Sequence, residues 1–402
     1  MKTIAIISEY NPLHTGHLYQ IKKIKEKFPQ SKIVAIMSGN FVQRGEPAIF
    51  DKFLRAKYAI ENGIDLIIQL PTIYSLQSAE NFAFGGMKII EAMNCIDYIS
   101  FGIENENLKD LYEIAKCQLD NTTKLSQLIK EIMTTGKSYA AAYKEATISL
   151  LGYIPKDDTF LSNNILALEY IKSIIKLDLN IGIIPVRRQG SNYLEENLLD
   201  LQFNSATSIR KNILSGNIDS ILDYVPYLSS NELDKFSNLA NLEDYYLLLK
   251  YCILILKKDF SNISGYEEGL DKLFFKNILK AKNIQEFIEL SISKRYKKGR
   301  IQRFILNYLL SIDKNLIDNS INEPVKYIKV LGLNNKGKLI LKEIKESSTL
   351  NIVTKNKDFK LEDKLNRSLF NLEETATDLY NINKEFYTRE LKNKLYIKED
   401  YK

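Results

Sequence analysis

At 402 residues, 45% of them hydrophobic, the chain is long enough for two or three domains with substantial cores and too apolar for a disordered tail protein. Residues 1–210 carry 23 basic and 23 acidic side chains and the remainder 33 and 27, so the formal net charge of +6 lies wholly in the second half. There it suits a polyanionic partner better than a small acidic metabolite. Cys95, Cys117 and Cys252 show no CxxC spacing, Met1–Ser8 lacks a signal-peptide pattern, and the apolar stretch Tyr245–Leu256 is broken by Lys250. These features predict a reduced, cytoplasmic protein without a metal cluster or membrane span.

Thr3–Ile7 is a continuous β-branched run and predicts a buried strand. Gly16–Phe28 places Leu18, Ile21, Ile24 and Phe28 on one face between lysines, the spacing of an amphipathic helix. The alternation continues with strands at Lys32–Met37, Asp65–Leu70 and Ile96–Phe101 and helices at Asp51–Asn62 and Ser78–Met93. It describes a doubly wound parallel sheet with right-handed crossovers. A mostly helical stretch from Asn107 to Leu150, a helix at Asn163–Ile175, a strand at Asn180–Val186 and a helix opening at Ser208–Leu214 complete a first domain, 1–215. Beyond it, helical periodicity dominates a second domain, 216–402, with a small α/β element at Tyr327–Leu333, Lys336–Glu346 and Leu350–Val353.

Both histidines of the chain fall in one tetrapeptide, His14-Thr15-Gly16-His17, where the first strand meets its helix. A helix N-terminus offers unpaired N–H groups and partial positive charge, and Gly16 lets a phosphate approach the backbone. A pair of histidines capping a turn is the bland alternative. A second basic element, Ser205-Ala206-Thr207-Ser208-Ile209-Arg210, could grip phosphates through Ser205, Thr207 and Arg210, or be a plain Ser/Thr helix cap. The loop Ser38–Pro47 offers Asn40, Gln43 and Arg44 to a small carboxylate. Lys294, Arg295, Lys297, Lys298, Arg300 and Arg303, interleaved with Tyr296 and Phe304 and free of acids, suit phosphate contacts and base stacking, although such a run is often just a solvated helix face.

HxGH after a buried strand resembles the nucleotidyltransferase superfamily that includes class I aminoacyl-tRNA synthetases, and implies a HUP-type, Rossmann-like fold. The stretches 9–17 (EYNPLHTGH), 37–47 (MSGNFVQRGEP), 78–83 (SAENFA), Phe101-Gly102, 162–166 (SNNIL), Arg187-Arg188, 205–210, Arg295-Tyr296 and 300–303 together resemble the tRNA(Met) cytidine acetate ligase family. The resemblance implies ATP-dependent activation of acetate as acetyl-adenylate and acetyl transfer to N4 of the wobble cytidine of elongator tRNA(Met). It implies an ATP site of Ile7, Ser8, Glu9, Tyr10, Asn11, Pro12, Leu13, His14, Thr15, Gly16, His17, Leu18, Tyr19, Gln20, Gly102, Asn164, Arg187, Arg188, Ser205 and Thr207. It also implies that His14, His17 and Arg210 carry the catalysis and that Mg2+ is held mainly by phosphates. Two departures, Ile103-Glu104 after Gly102 and Gln189-Gly190-Ser191 after Arg188, bear on the nucleotide contacts. A small-molecule nucleotidyltransferase of coenzyme biosynthesis and a non-catalytic tRNA-binding protein on a nucleotide-binding scaffold are the alternative readings.

Overall fold

The computed structural model describes residues 1–104, 108–155, 157–187, 204–228, 239–359, 363–385, 388–392 and 394–399. Strands β1 (Thr3–Ser8), β2 (Lys32–Ser38), β3 (Leu66–Leu70), β4 (Tyr98–Ile103) and β5 (Gly182–Arg187) lie in the order β3-β2-β1-β4-β5, all parallel. Their apolar runs are continuous because both faces are covered. Ile4, Ile6, Ile33, Ala35 and Met37 pack with Ile21 and Ile24 of helix Thr15–Lys27 and with Ala56 and Ile60 of helix Lys52–Glu61. Ala5, Val34, Ile36, Leu66 and Ile68, of opposite parity, join Phe82, Ala83 and Met87 of helix Ala79–Met93 and Leu168 and Ile171 of helix Ser162–Lys176. The order reverses direction between β1 and β4, the position where open α/β sheets bind ligands outside the strands' carboxyl ends.

The sheet does not stop at residue 215. β6 (Tyr327–Leu333) runs antiparallel to β3, with Leu66 opposite Leu333, and β7 (Asn351–Val353) and β8 (Tyr396–Ile397) pair with β6 in parallel. The strand expected in a separate small element therefore covers the β3 edge, whose backbone groups need a partner. Helix Asn335–Ser347 docks closely beside it. A Cβ on Gly337 would lie 2.1 Å from the Asp65 carbonyl oxygen.

Helices Tyr246–Leu254, Leu270–Ile278, Ile284–Ser291 and Lys298–Leu309 enclose Phe260, Phe274, Phe287, Phe304 and Tyr308, which belong to the same apolar cluster as one face of the sheet. No helix among the described residues is long and apolar enough to cross a membrane.

Candidate active site

A cleft of about 430 Å³ opens at the carboxyl ends of β1, β4 and β5. Its wall combines apolar side chains, Phe82, Phe101, Ile165, Leu166, Tyr170 and Val186, with polar ones, Glu9, Asn11, His14, His17, Gln43, Arg44, Thr207 and Arg210. The first set suits a flat ring and the second a polyanion.

The two histidines hold each other's backbone. The Gly16 N–H donates to His14 Nδ1 at 3.1 Å, and the His14 N–H donates to His17 Nδ1 at 3.2 Å, a reciprocal cap on helix Thr15–Lys27 of the capping-box kind. With each Nδ1 accepting from a backbone N–H, a neutral ring at either position carries its proton on Nε2. The rings are 3.9 Å apart between centroids, and both line the cleft. Gly16 serves this arrangement directly, since a Cβ there would come within 2.9 Å of His14 Cε1. Chain beyond residue 215 supports the loop from behind: the Thr15 N–H donates to the Tyr224 carbonyl at 2.9 Å and the Tyr227 hydroxyl to the Leu13 carbonyl at 2.6 Å.

A short ribbon, Phe41–Val42 paired with Glu46–Pro47, forms the rim and ties several elements together. The Gln43 N–H donates to Glu9 Oε1 at 2.6 Å, Arg44 donates to Thr207 Oγ1 at 2.8 Å, and Arg210 lies 3.5 Å from Glu46 Oε2 while donating to the Asn11 carbonyl at 2.8 Å. Withdrawal from water pushes the Glu9 carboxyl above the ordinary glutamate range, against the Gln43 N–H and the charges of Arg210, Arg44 and Arg55. Among the described lining residues Glu9 is the one carboxylate.

Of the residues expected to hold ATP, Ile7, Ser8, Glu9, Tyr10, Asn11, His14, Gly16, His17, Tyr19, Gln20, Gly102, Arg187 and Thr207 line the cleft. Pro12, Leu13, Thr15, Leu18, Asn164 and Ser205 are not among the lining residues. Leu13 and Leu18 pack in the core, Ser205 caps helix Ala206–Leu214 by accepting from the Ser208 N–H at 3.1 Å, and Asn164 Oδ1 accepts from the Glu104 N–H at 2.9 Å. Arg188 and the departure at 189–191 lie outside the described residues.

Three expectations need correction. Asn40 does not face the cleft; its amide accepts from the Lys52 N–H at 3.1 Å and donates to Thr377 Oγ1 at 3.3 Å. Tyr296 and Phe304 are buried, Phe304 stacking on Phe260 with centroids 5.8 Å apart, so neither ring can receive a base. Part of the basic segment is engaged within the protein: Arg295 and Arg300 clamp Glu267, and Arg303 donates to the Gln43 carbonyl at 3.1 Å. Burial, with Arg300 beside it, pushes the Arg303 guanidinium down to about 10. Lys294, Lys297 and Lys298 remain exposed.

Sequence reasoning missed Arg55. It is 1% exposed and donates to the carbonyls of Phe50 at 2.9 Å, Glu9 at 2.5 Å and Ser38 at 3.1 Å, and also to that of Gly39, so one guanidinium gathers the ends of β1 and β2. The available signal was a charge on the buried face of a helix, beside Ala56 and Ala59.

A model of the family described as HIGH Nucleotidyl Transferase matches residues 1–394. The tRNA(Met) cytidine acetate ligase of Thermoanaerobacter sp. (strain X514) is 38% identical over 387 residues, 95% of each chain. The chain belongs to this family. The enzyme of the same name from Clostridium acetobutylicum is 35% identical over 393 residues, 95% of this chain and 96% of its own. The crystal structure of apo Thermotoga maritima TmcAL matches the whole of both chains with a TM-score of 0.90 at 28% identity, and the form bound with alpha-thio ATP matches with a TM-score of 0.86. The present protein is thus a ligase on the HUP-type fold, and the cleft stands where that fold binds nucleotides.

Proposed function

We propose that this ligase activates acetate with ATP to acetyl-adenylate and passes the acetyl group to N4 of the wobble cytidine of elongator tRNA(Met). The observation that carries this reading is the reciprocal His14–His17 cap on the wall of a cleft that Arg44 and Arg210 also line, together with the apolar Phe82, Phe101 and Tyr170. The names of the relatives and the nucleotide bound by the Thermotoga maritima enzyme support it.

In the first step a carboxylate oxygen of acetate attacks the α-phosphorus and pyrophosphate leaves. Two Nε2–H donors and the Arg210 guanidinium meet charge that grows on the phosphoryl oxygens, and their preorganisation by backbone caps lowers the cost of aligning them during the reaction. Gln43 and Arg44, without Asn40, orient the acid from the rim. Phe82, Phe101 and Tyr170 exclude water around the nucleoside. Mg2+ would arrive on the nucleotide, held mainly by its phosphates, and would neutralise part of their charge. In the second step the cytidine amine displaces AMP. Lys294, Lys297 and Lys298 are the groups of the basic segment left for tRNA phosphates.

The test is incubation with ATP, radiolabelled acetate and total tRNA, followed by nucleoside analysis: label in N4-acetylcytidine is expected, and label elsewhere refutes the reading. His17→Ala is expected to cut acetate-dependent ATP–pyrophosphate exchange at least ~100-fold, the loss of a strong transition-state donor, while tRNA affinity stays within twofold. Normal exchange by this variant sinks the assignment of the pair.

A further inference from the structure

Among the charged side chains described on the cleft wall, Arg44, Arg187 and Arg210 stand against Glu9 alone. His14 and His17 have their Nδ1 atoms filled by backbone N–H groups, Arg44 and Arg210 only donate, and Glu9 is the one carboxylate among the described lining residues. Its Oε1 is occupied by the Gln43 N–H at 2.6 Å. Its Oε2 takes no hydrogen bond from the described residues, and the residue is half-buried on the cleft wall. A carboxylate held by one oxygen and open at the other is costly to maintain beside a polyanion site unless a ligand hydrogen meets it.

Acyl transfer to an exocyclic amine creates that hydrogen. The amine lone pair of cytosine is delocalised into the ring, so attack on an acyl carbon needs the N–H proton to leave as the bond forms, and carboxylates are natural acceptors for cytosine N4–H. Resting on the function proposed above, we infer that Glu9 Oε2 accepts the hydrogen bond of the cytidine N4 amine and takes its proton during acetyl transfer. The new bond joins N4 to the acyl carbon, the bond from that carbon to the phosphate oxygen of AMP breaks, AMP leaves with the electron pair, and the N4 proton ends on Glu9. Arg44 from the ribbon, Arg55 from helix Lys52–Glu61 and Arg210 from helix Ala206–Leu214 face the carboxylate, with His14 and His17 at the neighbouring helix N-terminus. Burial nevertheless raises its affinity for a proton, which suits a base.

The decisive variant is Glu9→Gln, whose amide oxygen keeps the Gln43 contact but cannot take a proton. Acetate-dependent ATP–pyrophosphate exchange reports the first step, single-turnover acetylation of tRNA the second, and acetyl hydroxamate formed with added hydroxylamine reports adenylate that a better nucleophile can still trap. The expected result is a transfer-to-exchange ratio at least ~100-fold below wild type with hydroxamate still formed. The wild-type transfer rate should fall as pH drops through an ionisation above the ordinary glutamate range, a limb the variant lacks. Transfer within threefold of wild type, or exchange and transfer lost in equal measure, overturns the inference. Wild-type protein that shows no acetate-dependent exchange overturns the underlying function instead, and the inference with it.

Discussion

Arg55 illustrates how one buried charge can set a site without touching a substrate. Its guanidinium is fully withdrawn from solvent and pushed down to about 10 by burial, yet its donors are matched to the carbonyls of Glu9, Ser38, Gly39 and Phe50. Removing it orphans several buried acceptors, each worth ~1–3 kcal/mol. Arg55→Ala is therefore expected to lose more than ~3 kcal/mol in urea unfolding and to lose adenylate formation; a loss below ~1 kcal/mol would show the carbonyls are satisfied otherwise. The histidine pair was legible in the sequence because it is local, four residues long, and its caps close within that span. Arg55 was not, because its partners lie on two strand ends and a loop that only the fold assembles. Asn40 was misread for the same reason. Its partners, Lys52 and Thr377, are 12 and 337 positions away.

At the level of elements, the ribbon 41–47 is the joint of the molecule. It meets Glu9 at the end of β1, Thr207 and Arg210 on helix Ala206–Leu214, and Gln302 and Arg303 on helix Lys298–Leu309. Gly45 makes the last contact feasible: its φ is +80°, and a Cβ would lie 2.3 Å from the Arg303 backbone nitrogen. Gly45→Ala must both strain the backbone and push the helix away, so we expect a stability loss of ~1–3 kcal/mol and a KM for acetate raised more than that for ATP. Equal effects on both substrates would show that the ribbon does not select the acid. The basic segment 294–303 was visible in the sequence as charge, but its division into exposed lysines and internally used arginines was not. That division follows from Glu267 and the Gln43 carbonyl standing within reach of the arginines, a matter of packing.

Across the whole molecule, the second half completes the first. Helix Lys364–Tyr380 and the segment 388–392 bring Glu373 and Glu390 to Lys52 and Lys329 behind the ribbon, with Lys52 Nζ 2.7 Å from Glu390 Oε1 and both side chains inaccessible. Burial alone would raise the Glu390 carboxyl, but Lys52 and Lys329 overcome it and hold it at about 2. A depressed carboxyl stabilises the fold above its unfolded value, ~4.3 for glutamate, and that contribution is lost as pH falls toward 2. Thermal unfolding should therefore show stability dropping between about pH 4.3 and 2, and Glu390→Gln, less stable at neutral pH, should show a shallower acid limb. An acid limb as steep as that of wild type would place the transition on other carboxylates.

What the sequence determined by itself was whatever short-range pattern can encode: the period of each strand and helix, the parallel sheet, the clustering of the two histidines and the family. What only the tertiary structure decided was membership across distance. β6 completes the first sheet because β3 would otherwise expose an unpaired edge, Asn40 and Arg303 serve the rim rather than a substrate because buried polar groups must find partners, and Glu9 accepts from the Gln43 N–H because the fold brings the ribbon to the end of β1. Hydrogen-bond satisfaction is a property of the folded whole, and local pattern does not carry it.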